Sequence, residues 1–522
     1  MKLWQFHGGL KLNGYKSLSS ESQIRRANIP PILVLPLLQH IGEPTEAVVE
    51  IGEKVLKGQV IGHCREKDCS LKLSTPIHAS SSGTVVAIEE RPVPHPSGLT
   101  APCVVIETDG EDKWIERTPI ADYSTFSPTE LLHHIAKAGI VGLGGAGFPA
   151  HIKLNSKNID TLIINGAECE PYITCDDRLM REYPQDIIAG AQIIRHILGG
   201  TKRCVIAVED NKPEAYQALS EAEQDVEIEL VPTRYPTGGE RQLIQVLTGK
   251  EIGRAELTAK RGIVVHNVKT ARAVYRAVQH GRPLVSRIVT VTGKGVENPQ
   301  NLEVPFGTLI SFLIEQCGRS KAGIERLIMG GPMMGFALAH EEYPIIKTTN
   351  CIIASPAEKI EKSAEMPCIR CGACAQVCPV NLLPQQLYWH AKAKDFKKAQ
   401  DYHIFDCIDC GCCAHVCPSH IPLVSYYRYA KAEIHAISEE HKQAELAKKR
   451  HEFRTYRLQR DKRERKEKLQ KMKAASNASK EAAIKAALER TKAKKEQKEQ
   501  KEQGQDLRST KHKTNLMLEI NY

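Results

Sequence analysis

Two stretches near the start, residues 45–62 and 76–89, alternate apolar and polar side chains around Gly52, Gly58 and Gly83. Period-two patterning broken by glycines predicts two sets of short, half-buried strands, as in a barrel-sandwich. Lys67, between Glu66 and Asp68, reads as a charged turn residue and not as a carrier lysine. Further on, Ser127-Pro128-Thr129-Glu130 is a capping box with proline at the first helical position, and the Leu131, Leu132, Ile135 spacing predicts a short helix ending at Gly139. Apolar runs at Thr161–Ile164, Cys204–Val208 and Gly262–Val265 predict buried strands separated by helical patterns, the alternation of an α/β domain. Arg287–Gly293 and Leu302–Pro305 predict another pair of strands, and Leu382–Ala393 an amphipathic helix begun by Pro384. After Ile434 the chain turns to Lys, Glu, Gln, Ala and Arg, and no core is expected there.

Length sharpens this outline, because 522 residues and 28 prolines exclude a single core. Residues 441–522 hold 25 basic and 12 acidic side chains, a net +13, so the preceding 440 residues carry −3 of the total +10. Arguments from net charge to a membrane or to nucleic acid therefore concern the tail alone, where anionic lipid is the sharper reading because acidic residues mixed among the basic ones argue against nucleic acid. No apolar run approaches 18 residues, the most apolar stretch, 30–38, being interrupted by Pro36. The N-terminus lacks a signal-peptide core, and the expectation is a cytosolic chain that does not span a bilayer.

Of 17 cysteines, nine fall between Cys368 and Cys417. Cys368-x2-Cys371-x2-Cys374-x3-Cys378-Pro379 is repeated as Cys407-x2-Cys410-x2-Cys413-x3-Cys417-Pro418. Zinc sites use two pairs separated by a longer arm, whereas a cubane cluster takes three thiolates from one tight turn and a fourth from elsewhere. Two 4Fe-4S clusters are expected over zinc or a disulfide knot. Cys368, Cys371, Cys374 and Cys417 would hold one, and Cys407, Cys410, Cys413 and Cys378 the other, wrapped by Ile369, Val377, Val416 and Leu423. Cys412 is left as a small apolar neighbour.

Gly142-Leu143-Gly144-Gly145-Ala146-Gly147-Phe148-Pro149 matches G-x-G-x-x-G at Gly142, Gly144 and Gly147, but a helix and not a strand precedes it. The loop is either a phosphate or ring cradle or a tight interdomain turn. Polar groups follow each predicted strand or open a helix: Asn165 to Pro171, Glu209 to Asn211, Tyr235 to Glu240 and Asn267 to Thr270.

In that order, Gly142–Lys153, Asn165–Pro171, Tyr235–Glu240 and Asn267–Thr270 resemble the NADH-binding flavoprotein subunit of respiratory complex I. With the twin cysteine runs behind them, residues 1 to about 435 resemble the C-subunit family of the Rnf (Rsx) electron-transport complexes. The resemblance implies a multidomain α/β protein: a barrel-sandwich N-terminal domain (1–120), a Rossmann-like flavin/NADH domain (121–280), a β-grasp domain (281–345), an α-helical two-cluster ferredoxin domain (358–432) and a disordered or helical charged tail (433–522). It implies FMN beside Gly144, Lys153, Asn165, Glu168 and Asn267, and NADH facing Phe148, Glu170, Tyr235, Gly238 and Glu240, with Gly142, Gly145 and Gly147 of the glycine loop also cofactor-binding. Ala167 and Gly239 stand where the complex I subunit has carboxylates, which implies a differently shaped flavin site. The implied role is electron entry at the cytoplasmic side of the inner membrane, held peripherally by the other subunits of an ion-translocating complex, with ferredoxin or a similar carrier as a further partner. The rival readings are a subunit of a soluble NADH-linked hydrogenase or formate dehydrogenase, and a ferredoxin-bearing scaffold with a degenerate nucleotide site.

Overall fold

The computed structural model describes residues 3–64, 73–145, 147–222, 225–254, 256–356 and 364–515; Lys67 and Ala146 lie outside them. Residues 1–432 form one compact unit and 433–522 a second.

The first unit opens with two small antiparallel sheets. One orders Ile32–Pro36, Thr100–Thr108, Gly83–Pro92 and Lys54–Val55, and the other Glu46–Ala47, Val60–His63 and Ile77–His78. Both feed one core through Leu33, Leu35, Ile61, Ile77, Val85 and Ile106. The uninterrupted apolar run at 32–36 follows from burial on both faces, since Val34 packs the other way with Cys103 and Val105.

The α/β domain is a four-stranded parallel sheet in the order Glu227–Val231, Arg203–Glu209, Thr161–Gly166, Ile263–Asn267. The chain steps outward from Thr161–Gly166 twice and then returns to its other side. That reversal puts the carboxyl ends of Thr161–Gly166 and Ile263–Asn267 next to each other at a switch point, where open α/β sheets bind ligands. The predicted capping box at Ser127 and Glu130 is formed at the head of helix Pro128–Lys137. On one flank, helix Pro184–Ile197 rides so closely on Val268–His280 that a Cβ at Gly190 would lie 1.9 Å from the Ala271 carbonyl oxygen.

A six-stranded mixed sheet follows, with helix Ile310–Gln316 and a core of its own. Its order is Arg25–Arg26, Gln300–Pro305, Ser286–Thr292, Cys351–Ser355, Arg326–Met329, Phe336–Leu338. The sheet does not stop at residue 345, where the sequence outline ended it. Cys351–Ser355 lies in its middle, paired parallel with Ser286–Thr292, and Arg25–Arg26 adds an edge from the far end of the chain.

The domains are not independent beads, because one core joins Leu33 and Ile61 of the sandwich to Leu131, Ile164 and Val268 of the α/β domain and Ile353 of the mixed sheet. Lys347 seals the same junction. It is buried, and its ammonium donates to the carbonyls of Pro76 (2.9 Å) and Gly139 (2.8 Å). Burial without a carboxylate partner depresses its pKa from 10.5 to about 7. Between those values the unfolded chain keeps the proton and the folded one releases it, so this group makes stability rise with pH across that window, by up to about 1.4 kcal/mol per pH unit. Lys347→Met is expected to flatten the slope of unfolding free energy against pH from 7 to 10, measured by denaturant titration. An unchanged slope would assign the pH dependence to other groups.

In the second unit, residues 433–515 are helical. From His435 to Gly504 every side chain but Asp461 is exposed. Pairs such as Glu445–Lys449 and Arg460–Glu464 at i, i+4 replace core packing as local support. Among the described residues no helix is long and apolar enough to cross a membrane.

Candidate redox centres and nucleotide site

The cysteine repeat is also a backbone repeat, offset by 39 residues. Arg370 and Asp409, Gly372 and Gly411, and Asn381 and His420 all take positive φ, and the turns lead into matching four-residue helices, Ala373–Gln376 and Cys412–His415. Pro384 opens the helix between the runs, Pro384–Lys392, and its counterpart at the same offset is Leu423, where the final helix begins. Two cavities result. One is walled by Cys378, Cys407, Cys410 and Cys413 with Pro379, Leu387 and Tyr427. The other is walled by Cys368, Cys371, Cys374 and Cys417 with Ile369, Tyr388 and Leu423. Each gathers three thiols of one run and the last of the other, and the apolar walls suit a cubane with four thiolate corners. Ile369 and Leu423 line the second cavity as expected from the sequence, while Val377 packs with Tyr235, Cys410 and Cys412.

The cavities differ in depth. Cys378, Cys410 and Cys413 are buried, whereas Cys371 is exposed and Ile369 beside it is 68% exposed. The inner cavity adjoins the α/β domain: Tyr235 is buried, and its hydroxyl donates to the Cys410 carbonyl at 2.7 Å. The N-terminal segment ties the same place together, with Leu10 and Tyr235 exchanging backbone hydrogen bonds and the Gly9 amide donating to the Val377 carbonyl.

At the sheet's switch point, Asn165 and Asn267 are register partners. The Asn165 amide donates to the Gly238 carbonyl (2.9 Å), and that of Asn267 to the Asn165 carbonyl (3.2 Å) and Asp176 (2.8 Å). Above them the glycine loop is closed by Gly142 and Phe148, and a Cβ on Gly144 would sit 3.3 Å from the Asn267 Cβ. Gly144 and Gly145 are exposed, and no protein acceptor takes their amides among the described residues, so two donors remain for a ligand's oxygens. Gly147 is turned inward, its carbonyl accepting from the Ile41 amide. Lys153, half-buried, pairs with Glu240 at 2.8 Å.

Other residues named from the sequence are held by protein. Glu168 is buried and accepts from the amides of Asp176 (2.8 Å) and Asp177 (3.4 Å). Burial raises its pKa, with Lys16 opposing. The Glu170 carboxylate accepts from the amides of Met333 and Met334 at 2.7 and 3.0 Å, against a loop of the mixed sheet. The resemblance assigned Glu170 and Tyr235 to the nicotinamide nucleotide; here their polar atoms meet the Met333–Met334 loop and the inner cavity. Gly238 is needed for close approach, since a Cβ there would lie 2.5 Å from the Ala167 carbonyl oxygen.

Beneath the site lies an ionic cluster that pattern reading did not single out. Lys269 forms an ion pair with Asp176 at 2.6 Å and donates to the Cys175 sulfur at 3.2 Å, and burial of its ammonium is outweighed by Asp176, so its pKa is raised. Lys16 donates to the carbonyls of Glu168, Glu170 and Ile173, and Lys212 pairs with Glu209. Glu168, Cys175 and Asp176 bring ligand atoms within 4.8 Å of one another, but the Lys269 ammonium already serves as their cation. Asp176 and Asp177 in the first turn of helix Cys175–Glu182 were a usable signal. Nothing local marked Lys16.

A parallel sheet with a glycine loop at its switch point, joined through one buried tyrosine to a pair of four-thiol cavities, defines an iron–sulfur flavoprotein. Family models agree segment by segment: RnfC barrel sandwich hybrid domain over residues 4–111, Nuo51 FMN-binding domain over 135–276, SLBB domain over 288–337 and 4Fe-4S dicluster domain over 367–421. The chain is 46% identical over 88% of its length to the C-subunit of the ion-translocating oxidoreductase complex of Edwardsiella ictaluri, and 49% identical over 88% to that of Vibrio cholerae El Tor Inaba. It spans 57% and 59% of those two proteins. The Salmonella arizonae protein of the same name is 44% identical over 88% of the chain and is covered over 68% of its own length. The chain belongs to this C-subunit family of ion-translocating oxidoreductase complexes. A solved NAD+-reducing [NiFe]-hydrogenase in the H2-reduced state aligns at TM-score 0.42 and 18% identity, covering 60% of this chain and 64% of that one, too distant to add to the fold assignment.

Proposed function

We propose that this chain is the electron-entry subunit of a membrane-bound ion-translocating oxidoreductase, held peripherally on the cytoplasmic face by other subunits and oxidising NADH. The observation that carries the reading is the continuity from the glycine loop to the inner cavity: Gly238 supports Asn165, and Tyr235, three residues before it, bonds the Cys410 carbonyl.

Bound FMN supplies the conversion between a two-electron hydride donor and one-electron clusters. The chain's own residues hold and orient it. The free amides of Gly144 and Gly145, with Lys153 beside Glu240, present donors and a cation to an anionic cofactor; Asn165 and Asn267 fix the loop's floor. Cys378, Cys407, Cys410 and Cys413 serve as ligands of the inner cluster and Cys368, Cys371, Cys374 and Cys417 of the outer one. The inner set, with Cys378, Cys410 and Cys413 buried, lies on the nucleotide side, and the exposure of Cys371 and Ile369 supports the outer set as the place of exchange with a redox partner.

Anaerobic titration of the purified protein with NADH is expected to bleach flavin absorbance and then reduce the clusters. Clusters that respond to dithionite while NADH leaves flavin and clusters oxidised would make the chain a scaffold with a degenerate nucleotide site. Lys153→Ala is expected to lower flavin retention about tenfold, the order of one charge-assisted hydrogen bond, at unchanged iron content. Loss of iron in that variant would mean a folding role.

A further inference from the structure

The surface where the sandwich, the helix Val268–His280 and the edge strand Arg25–Arg26 meet collects cations that the redox reading does not use. The Trp114 ring has the Lys57 ammonium 5.0 Å, the Arg117 guanidinium 5.5 Å and the Arg282 guanidinium 5.9 Å from its centroid. Arg26 stands opposite Glu303 in the parallel ladder, and Arg276 binds that carboxylate at 2.7 Å.

The carboxylates nearby are already committed. Glu303 accepts from Arg276 and from the Ser286 hydroxyl; burial disfavours its ionisation, but Arg276 and Arg272 prevail and hold the carboxyl at about 2. Asp112 pairs with Lys57, and Asp186 with Arg272. Among the described residues no carboxylate comes within ion-pair distance of Arg26, Arg117 or Arg282. The Arg282 Nε is buried without a hydrogen-bond partner, and burial followed by Arg276 and Arg117 lowers its pKa.

Helix end effects do not balance this charge. The carbonyls of Arg276 and Val278 at the end of Val268–His280 are taken by the backbone amides of Arg282 and Ile120. Guanidinium groups crowded from three separate segments repel one another, and a buried donor left open costs stability. Both penalties disappear when a multiply charged oxyanion sits among planar donor forks.

We propose that Arg117 and Arg282, gathered at Trp114, together with Arg26 of the neighbouring edge strand, bind a phosphate-bearing anion at a site separate from the flavin loop. The phosphate group is either that of a soluble phosphate compound or that of an anionic lipid headgroup, and the test tells them apart.

Full-length, anaerobically prepared protein with its cofactors is titrated calorimetrically with inorganic phosphate and with pyrophosphate, ionic strength being held constant with chloride. A saturable heat that weakens at least tenfold in R117Q/R282Q, with iron, flavin and thermal midpoint retained, is the result expected for a soluble ligand. R26Q alone serves as a second variant should the double one fold poorly. In parallel, sedimentation with phosphatidylglycerol and phosphatidylcholine vesicles compares wild type with the same variants, so that any contribution of the basic tail is the same in both. A tenfold loss on phosphatidylglycerol without a phosphate heat assigns the group to lipid. Equal behaviour of wild type and variants in both arms overturns the proposal, as does a fall in thermal midpoint with no change in binding.

Discussion

Replacing Cys378 with serine is expected to remove the inner cluster, although Cys378 belongs to the earlier cysteine run. Its thiol shares a cavity with Cys407, Cys410 and Cys413, and not with its own sequence neighbours Cys371 and Cys374. Iron is expected to fall from about eight to about four atoms per chain, since each cubane holds four. The inner cluster is the one next to Tyr235, so its loss cuts the path from the nucleotide side, and NADH is expected to reduce the remaining cluster at least about a hundredfold more slowly than dithionite does. Cys417→Ser makes the complementary lesion: half the iron remains, and the surviving cluster is still reduced by NADH. Electron paramagnetic resonance of the two variants, prepared without oxygen, distinguishes the outcomes. If Cys378→Ser loses the signal that Cys371→Ser loses, and not the one that Cys410→Ser loses, the crossed ligation is wrong; if both Cys378→Ser and Cys417→Ser lose all iron, the clusters fold as one unit.

How much of this was visible beforehand depends on the range of the interaction. The cysteine runs could be read because three ligands per cluster lie within seven residues, and the 39-residue repeat carries turn and helix along with the thiols. Ser127 and Glu130 could be read because a capping box is local, and the strand at 161–166 because its neighbours bury both faces. What escaped is pairing across the chain. Nothing near Arg25–Arg26 or Cys351–Ser355 says that both join the sheet built around Ser286–Thr292. Lys16 reaches carbonyls more than 150 residues away, and its surroundings look like any loop. Glu170 is a similar case: the resemblance placed it beside the nicotinamide nucleotide, and nothing local announces that its carboxylate accepts from the Met333 and Met334 amides. For the tail, propensity favoured helix and the lack of apolar positions argued against packing; the structure has both properties, a helix with exposed side chains.

The ionic cluster below the switch point allows a sharper test than any surface change. Lys269→Met is expected to destabilise the protein by about 3–5 kcal/mol, because it strands Asp176 in a region from which water is excluded. Removing the ammonium leaves Asp176 with the Asn267 amide as its remaining side-chain donor, and Asn267 forms the floor of the glycine loop. Flavin retention should therefore fall together with stability, while the cysteine cavities, built from another part of the chain, keep their iron. A sign test follows from charge. Protonating the stranded Asp176 relieves the penalty, so the difference in stability between variant and wild type is expected to be smaller at pH 5 than at pH 8. The double variant Lys269→Met/Asp176→Leu removes both charges and should recover most of the loss, since a buried ion pair contributes little over an apolar pair of similar volume. Recovery of stability without recovery of flavin would separate the two duties of Asp176, holding Lys269 and orienting Asn267. Failure to recover stability would show that Lys269 acts chiefly through Cys175 and Glu168, and denaturant unfolding of the four proteins of this cycle, with Asp176→Leu as the second single variant, decides between them.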